Sequence, residues 1–450
     1  MDLTSDRSHS LSPETLAYLN QVNTPIEVFV AFASSNKKIE AENVMNDIRS
    51  ILEEFSYQSH KGNKPLITAQ FIDTYKENNK MQELVAQYGI SRGNTILVTC
   101  GDRFREITDQ ELYSFKKGHR AAFKGEEVFL SAILDVSSDK AKKVYFTVGH
   151  GELMIDDVEP QFGLTQFKQF LVKRNIILKE LDLSTNEPVP EDADLVIIPS
   201  PQGAFLPFEV EKLRKYTDIN NGRVIIFIEP GRKHGLEELM FDWGIVSDDM
   251  VVVDPTGEDY RPATEDFIVR RFAPHQITQF LIDYEMTLLT GLHRPVRQDP
   301  GSPDDSSRII TPILTSSPTS WAERNYRTEE TYTFNPQVDL QGPIPIGIVS
   351  EKNAGNHIGI NIPGGRLVVF GNSKYISNHR FLVYGNQLLM ANTINWCLDR
   401  NNLLSIPPRR IKQHQLVITN QEFGKIIAYF SVIPFTFLSI GFAMYFIRKN

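Results

Sequence analysis

The tetrapeptide Gly149-His150-Gly151-Glu152 carries side chains suited to chemistry, and it follows an apolar segment that ends at Val148. Imidazole and carboxylate groups can transfer protons or bind metals, and glycines let backbone amides approach a ligand closely. In open α/β sheets ligands bind at the carboxyl ends of strands, where this tetrapeptide is expected to lie. The sequence therefore predicts a ligand site at Gly149, His150, Gly151 and Glu152. A tight turn capped by His150 is the structural alternative.

Ser200 and Glu229 also follow apolar segments and are the other candidates for this ligand site. Ser200 lacks the G-x-S-x-G context of a catalytic nucleophile, and prolines on both sides favour a rigid loop over catalysis. Glu229 begins the segment Glu229-Pro230-Gly231-Arg232, which is expected to line the same crevice. No catalytic residue is assigned. The chain carries no cofactor fingerprint and no Cys/His spacing typical of zinc, so neither a cofactor nor a metal is predicted.

Alternating strands and helices are predicted to position these residues. The predicted strands are 144–148, 176–181, 195–199, 224–229 and 250–253, followed by a late strand at 367–370. Helices are predicted at 164–174, 207–216 and 381–398. Strands that alternate with helices imply a mainly parallel sheet with right-handed crossovers.

The first third of the chain shows a shorter series of the same kind. Strands are predicted at 26–32 and 66–72, helices at 39–55 and 81–88, and a hairpin with its turn at Gly101-Asp102. Residues 110–115 and 126–134 are predicted to be helical. A polar segment at 137–143 is expected to link this series to the second one.

Composition limits the class of protein. The 450 residues are 41% hydrophobic and 23% charged, which is typical of globular chains and excludes a disordered one. The formal net charge of −9 argues against nucleic-acid binding, which needs basic patches. The two cysteines, Cys100 and Cys397, are expected to be buried thiols, with a disulfide between them left open.

One segment predicts a membrane anchor. Ile426 to Ile447 comprises 22 uncharged residues, enough for a helix to cross a bilayer. Arg448 and Lys449 follow at once, which favours a cytoplasmic C-terminal tail and a large domain on the other side of the membrane. Residues 1–10 are polar and show no signal peptide. We therefore expect either a segment upstream of Met1 or a tail-anchored protein.

An ordered set of motifs resembles one known family. It includes Asp2-Leu3-Thr4, the GHGE tetrapeptide, Ile225 to Gly231, Gly365 to Ser373 and Asn395-Trp396, followed by the final apolar segment. On these motifs the chain resembles the GldG-like auxiliary subunits of gliding-motility-type ABC transporters, which belong to the ABC-type uncharacterized transport system family. Members usually carry a transmembrane helix just before Asp-Leu-Thr, so the resemblance implies such a helix upstream of this chain or on a separate polypeptide.

The resemblance also implies a fold. The expected class is α/β, with a thioredoxin-like N-terminal domain, a class I glutamine-amidotransferase-like parallel-sheet domain and one C-terminal transmembrane helix. The implied boundaries are 1–23 (juxtamembrane segment), 24–136 (thioredoxin-like), 143–400 (amidotransferase-like), 401–425 (linker) and 426–447 (helix). Residues 34–37 (SSNK) and Asn94 replace the CxxC and the cis-proline of thioredoxins, and Glu229 replaces the amidotransferase nucleophile. Neither activity is therefore expected.

The resemblance implies a membrane-anchored, non-catalytic accessory subunit of an ABC-2-type transporter, working with a separate permease and a separate ATPase. Its large domain would lie outside the cytoplasm, attached to the inner membrane, and Pro434 and Gly441 would pack against the permease. Two alternatives stay open: a membrane-tethered hydrolase that uses His150 and Glu152, and a solute-binding receptor that uses the same crevice.

Overall fold

The protein is described here from a computed structural model. It covers residues 11–20, 22–32, 38–61, 64–74, 78–88, 95–108, 111–116, 119–137, 141–254, 259–261, 266–301, 308–328, 332–357, 360–383, 385–398, 409–410, 444 and 448. The chain divides into two compact units, 1–409 and 410–450, and the fold described below is that of the first.

The first third of this unit is a small α/β assembly. Its elements are, in order, α1 (Pro13–Leu19), β1 (Ile26–Phe32), α2 (Lys38–Gln58), β2 (His60–Lys61), β3 (Lys64–Pro65), β4 (Ile67–Asp73), α3 (Asn78–Tyr88), β5 (Thr95–Cys100), β6 (Arg103–Ile107), β7 (Tyr113–Lys116), β8 (His119–Phe123) and α4 (Gly125–Ser137).

A four-stranded mixed sheet of order β4-β1-β5-β6 forms the centre of this assembly. Strand β1 runs parallel to β4 and antiparallel to β5. The hairpin at Gly101-Asp102 is confirmed, because β5 and β6 pair across that turn and Gly101 has a positive φ of 62°. The helical prediction for 110–115 is wrong. Tyr113 lies in a strand opposite Phe123, and their rings pack at 5.2 Å, a cross-strand contact that local helical propensity does not outweigh.

The remaining elements build a larger second assembly. They are β9 (Lys142–Val148), α5 (Thr165–Val172), β10 (Ile176–Asp182), β11 (Leu195–Pro199), α6 (Pro207–Ile219), β12 (Arg223–Phe227), α7 (Glu237–Asp242), β13 (Ile245–Val246), β14 (Val251–Val253), β15 (Tyr260–Arg261), β16 (Asp266–Val269), β17 (Arg271–Phe272), α8 (Gln279–Asp283), β18 (Leu288–Thr290), β19 (Arg297–Gln298), β20 (Arg308–Thr315), β21 (Trp321–Glu323), β22 (Leu340–Gln341), β23 (Pro345–His357), β24 (Ile360–Phe370) and α9 (Asn386–Cys397). The last described strand, β25 (Arg409–Arg410), is not part of this assembly.

An eight-stranded sheet of order β10-β9-β11-β12-β24-β23-β20-β17 is the main layer of this assembly. The first five strands are mutually parallel, and the last three pairings are antiparallel. The chain passes from β9 outward to β10 and then back across β9 to β11. The strand order therefore reverses between β9 and β11, and the carboxyl ends of these two strands meet at a topological switch point.

Both faces of the parallel half are apolar and covered. Alternate residues of one strand, such as Phe146 and Tyr145 of β9, enter different cores. Helices α5 and α9 contribute to the core on one face, and α6 and α7 contribute to the core on the other. Burial on both faces explains why these strands are continuous apolar runs rather than alternating ones.

The structure corrects two details of the predicted sheet. Residues 250–253 are not part of the parallel series, because β14 pairs antiparallel with β21 in a separate three-stranded sheet. A short apolar run does not reveal its partner. The strand predicted to reach Glu229 ends at Phe227, three residues before Pro230, whose missing N–H cannot extend the pairing. The observed class is a mixed α/β fold with parallel and antiparallel sheets.

Several predictions fall wholly or largely outside the described residues. These are the SSNK segment, Asn94, most of the 401–425 linker and, apart from Met444, the predicted transmembrane segment 426–447 with Pro434 and Gly441. Within the described part of the chain, no helix combines the length and apolarity needed to span a bilayer. Cys100 and Cys397 are both buried and are not joined by a disulfide, as predicted.

Candidate functional site

The loops after β9 and β11 meet at the topological switch point, where a ligand site is predicted from the sequence. The backbone carbonyl of His150 accepts hydrogen bonds from the N–H groups of Gln202 and Gly203, both at 2.9 Å. Gly149 and Gly151 have φ values of 112° and 73°, a region that favours glycine. A Cβ on Gly151 would also lie 3.1 Å from Gln202 Cβ. The glycines therefore permit a tight contact between two loops.

The imidazole of His150 is held from several sides by side chains that we call the His150 cluster: His150, Glu152, Phe205 and Glu209. Its Nε2 is hydrogen-bonded to Glu209 Oε2 at 3.0 Å, and its ring stacks on Phe205 with centroids 3.9 Å apart. Its Nδ1 lies 3.5 Å from Glu152 Oε1. The side chains of Glu152 and Glu209 are only 2% and 1% exposed.

Both carboxylates also have structural partners in the backbone. Glu152 accepts the N–H of His150 at 2.6 Å. Glu209 accepts the N–H of Leu206 at 2.6 Å, which satisfies a free donor at the start of α6. The cluster therefore ties the β9 loop to the first turn of α6. This arrangement fits the structural alternative, a tight turn capped by His150. The ligand role of the tetrapeptide stays a prediction.

Glu209→Ala is expected to lower the free energy of unfolding by about 2 kcal/mol, because it removes a helix-capping acceptor and the partner of a buried imidazole. Glu211→Ala is the matched control on the same helix. Its side chain is 46% exposed, so a change within about 0.5 kcal/mol is expected. Urea denaturation of both variants tests this, and equal midpoints would contradict a stabilising role for the cluster.

Ser200 lies beside the cluster but lacks the surroundings of a nucleophile. It is buried, has a φ of 58°, and donates its backbone N–H to Phe227 O at 3.0 Å. The Gln202 amide donates to the Ser200 hydroxyl at 3.3 Å. A nucleophilic serine needs a base within hydrogen-bond reach, and no described side chain other than Gln202 bonds this hydroxyl.

Glu229 opens onto a different space, which we call the Glu229 cavity. It has a volume of about 630 Å³. The structure therefore brings five of the six predicted residues together at the switch point and places Glu229 in the wall of this cavity. The other described residues lining it are Gln161, Pro230, Val251, Asp266, Gly291, Leu292, Tyr326, Tyr332, Asn372, Lys374, Ser377, His379 and Arg380.

Most of these residues were missed by the sequence analysis. Asn372 and Lys374 follow β24, which was predicted as a strand, so the rule that ligands bind beyond strand ends could have found them. Asp266 and Tyr326 come from parts of the chain that the predicted parallel series did not include. No signal in the sequence brings those two residues to the end of β24.

Hydrogen bonds fix the charged groups around this cavity. Ser373 donates its hydroxyl to Glu229 Oε1, and Arg380 donates to Asp266 Oδ1 at 2.7 Å. Burial would raise the pKa of nearby Asp249, but the N–H of Gly231, the Tyr326 hydroxyl and two arginines outweigh it and lower that pKa. Burial, followed by the bond to Asp249, raises the pKa of Tyr326. Among the described residues, no group of His, Cys, Asp and Glu is arranged to hold a metal ion.

Comparison with solved structures gives weak likenesses. The N-terminal domain of mmIFT52 is 16% identical, with 57% of this chain and 97% of that chain covered and a TM-score of 0.40. A putative ThuA-like protein from Bacteroides uniformis is 15% identical, with 57% and 91% covered and a TM-score of 0.34. An exo-β-1,4-mannosidase from Opitutaceae bacterium strain TAV5 is 9% identical, with 82% and 49% covered and a TM-score of 0.27. A comparison with curated proteins gave no match.

Two family models match the sequence. A domain of unknown function matches residues 5–110. A model described as "ABC-type uncharacterized transport system" matches residues 141–379, which are 239 of the 450 residues and hold the His150 cluster and every described residue lining the Glu229 cavity except Arg380. This match supports an accessory role in an ABC transport system. Since it spans more than half of the sequence, the chain belongs to the ABC-type uncharacterized transport system family.

Proposed function

We propose that the protein is a membrane-anchored, non-catalytic accessory subunit of an ABC-2-type transporter, of the GldG-like kind. A separate permease and a separate ATPase would be its partners. Its α/β assemblies would lie outside the cytoplasm, held at the inner membrane by residues 426–447. The family match over 141–379 is the observation that carries this proposal.

The geometry of the His150 cluster supports a non-catalytic role. An imidazole that acts as a base needs a nitrogen directed at a substrate. Nε2 of His150 is instead bonded to Glu209, and one ring face packs on Phe205. The sequence also contains no G-x-x-x-x-G-K-[ST] motif, so transport energy would have to come from another polypeptide.

Co-purification together with membrane topology tests the proposal. The full chain carries a C-terminal tag, membranes are dissolved in mild detergent, and bound proteins are identified. Protease protection of residues 24–399 in intact cells reports the side of the membrane. We expect a permease and an ATPase to co-purify and the domain to be cleaved from outside the cytoplasm. Absence of transporter subunits, or a domain protected inside, would contradict the proposal.

Gly441 gives a sharper version of the same test. A small residue lets two transmembrane helices approach closely, so Gly441→Leu is expected to reduce recovery of the permease several-fold. Ala443→Leu is the matched control, since two residues apart on a helix face nearly opposite directions. Equal recovery of the permease with both variants would show that Gly441 does not lie in the contact between the two helices.

The alternative with a distinct prediction is a membrane-tethered hydrolase that uses His150 and Glu152. It requires these side chains to leave Glu209 and the His150 backbone and to bind a substrate or metal. A His150→Ala, Glu152→Ala double variant that is folded and supports transport as well as the unaltered chain would exclude this alternative. Loss of transport with normal folding and normal permease recovery would favour it over the accessory role.

A further inference from the structure

We propose that the Glu229 cavity binds a neutral sugar, held by hydrogen bonds to its hydroxyl groups and by contact with tyrosine rings. The inference concerns this cavity alone and does not depend on the transporter partners. It rests on the place of the cavity in the fold, the balance of charge in its wall, the hydrogen-bond acceptors available there and the aromatic side chains beside them.

The cavity lies beyond the ends of two neighbouring strands. Glu229 follows β12, which ends at Phe227, and Lys374 follows β24, which ends at Phe370. These two strands are adjacent and parallel in the main sheet. Ligands of open α/β sheets bind beyond the carboxyl ends of such strands. The volume of about 630 Å³ also falls within the range of roughly 300–1,000 Å³ that small-molecule sites occupy. Position and size therefore both fit a small ligand.

The charged side chains in the described wall balance one another. Two are carboxylates, Glu229 and Asp266, and two are cations, Lys374 and Arg380, so their formal charges sum to zero with the lining histidine counted as neutral. Arg380 donates to Asp266 Oδ1 at 2.7 Å, and the Lys374 ammonium donates to Gln161 O at 3.4 Å. A ligand with a net charge would be attracted by one pair of these groups and repelled by the other pair. The wall therefore favours a neutral ligand.

Residues of the wall offer hydrogen-bond acceptors whose own protons are absent or already used. Glu229 Oε1 accepts the Ser373 hydroxyl, whereas Oε2 has no hydrogen-bond partner among the described residues. The Tyr326 hydroxyl donates to Asp249 Oδ1 at 2.9 Å, and the Tyr332 hydroxyl donates to the Tyr326 carbonyl at 3.3 Å. Each hydroxyl has one proton, so both tyrosine oxygens act toward a ligand only as acceptors. A ligand that fits them must supply several donors, as the hydroxyl groups of a sugar do.

The two tyrosines also give the cavity an apolar side. Tyr332 is 39% exposed, and the Arg327 guanidinium lies 5.3 Å from the ring centroid of Tyr326. Small-molecule sites combine aromatic surface with a few polar groups, and the C–H face of a sugar ring packs against such surface. A purely apolar ligand would also cover the rings, but it would leave Glu229 Oε2 desolvated without a hydrogen bond. A sugar satisfies both parts of the wall.

Calorimetric titration of the full chain, in a detergent without a sugar headgroup, tests the inference. The neutral probes are glucose, cellobiose, maltose and lactose, and the charged probes are glucosamine and glucuronate. We expect at least one neutral probe to bind at millimolar concentration. Its affinity should change less than about twofold between low and high salt, because no charge is neutralised on binding. Absence of binding by every neutral probe, or tighter binding of glucosamine or glucuronate than of all the neutral probes, would overturn the inference.

Variants of the wall show whether the sugar lies in this cavity. Glu229→Gln is expected to weaken binding about tenfold, because hydrogen bonds to a carboxylate are stronger than those to an amide. Tyr332→Leu is expected to weaken it about tenfold and Tyr332→Phe, which keeps the ring, less than about threefold. Glu180→Gln and Tyr57→Leu are matched controls, because both side chains are exposed and outside the cavity. Unchanged affinity in Glu229→Gln and Tyr332→Leu would overturn the inference. Co-purification of transporter subunits does not enter these results, so either proposal can fail alone.

Discussion

Arg366→Met is expected to lower the free energy of unfolding by about 3 kcal/mol, because it leaves two partners of a buried cation unsatisfied. The Arg366 side chain is 1% exposed. Its Nε and Nη2 both lie 2.8 Å from Glu351 Oε1 on β23, and its Nη1 donates to the backbone carbonyl of Trp396. The guanidinium also lies 4.4 Å from the Trp396 ring centroid.

The position of that carbonyl explains the size of the effect. Trp396 lies in the last turn of α9, where carbonyl groups lack intrahelical donors and the helix dipole favours a cation. Arg366 therefore joins β23, β24 and the end of α9. Methionine preserves much of the apolar stem but none of the donors.

Lys215→Met is the matched control for this loss of charge. Lys215 is 65% exposed and lies 4.0 Å from Glu211, so a change below about 0.5 kcal/mol is expected. Urea denaturation in mild detergent gives both values. A midpoint for Arg366→Met that equals that of the control would show that the buried pair does not stabilise the fold.

The parallel half of the main sheet could be predicted because its strands are buried on both faces. Runs such as Leu195–Pro199 are continuously apolar, and helices of clear periodicity separate them. The antiparallel half was not predicted. Strands β20 and β23 pair over many residues, but their partners are set by contacts distant in sequence. Tyr113 shows the same effect over a shorter distance in sequence. Its pairing with Phe123 stabilises a strand where a helix was predicted.

Only the residues of the candidate site that directly follow strands could be predicted from the sequence. The sequence placed His150 and Ser200 beyond their strands, and the fold brings them together at the switch point. Glu209 and Phe205, which hold the imidazole, were not predicted, because nothing in a single sequence links a helix start to a histidine 59 residues earlier. Glu229 was assigned to the same crevice, but a strand end specifies an edge of the sheet rather than a particular cavity.

Stability is expected to fall steeply between pH 7 and pH 5 because three histidines are buried as neutral imidazoles. Burial lowers the pKa of His234 and of His275 to about 4 and that of His293 to about 3. In the unfolded chain each has a pKa near 6.5. Below that pH the unfolded state binds more protons than the folded state, so the free energy of unfolding is highest above pH 6.5 and decreases as the pH falls.

The expected loss is about 2 kcal/mol for each imidazole between pH 6.5 and pH 5, at 1.36 kcal/mol per pH unit. His275 is the most suitable of the three to replace, because it is not fully enclosed and contacts the Trp396 ring at 5.2 Å. His275→Gln is therefore expected to make the difference in unfolding free energy between pH 7 and pH 5 smaller by about 2 kcal/mol.

His60→Gln is the matched control, since His60 is exposed in the first assembly. We expect it to leave the pH dependence unchanged within about 0.5 kcal/mol. Urea denaturation at pH 7 and pH 5 measures the three differences. If His275→Gln and the unaltered chain lost the same free energy over this interval, the neutral buried imidazole would not be a source of the pH dependence. The loss of stability over this interval would then have to arise from the other two buried imidazoles, His234 and His293.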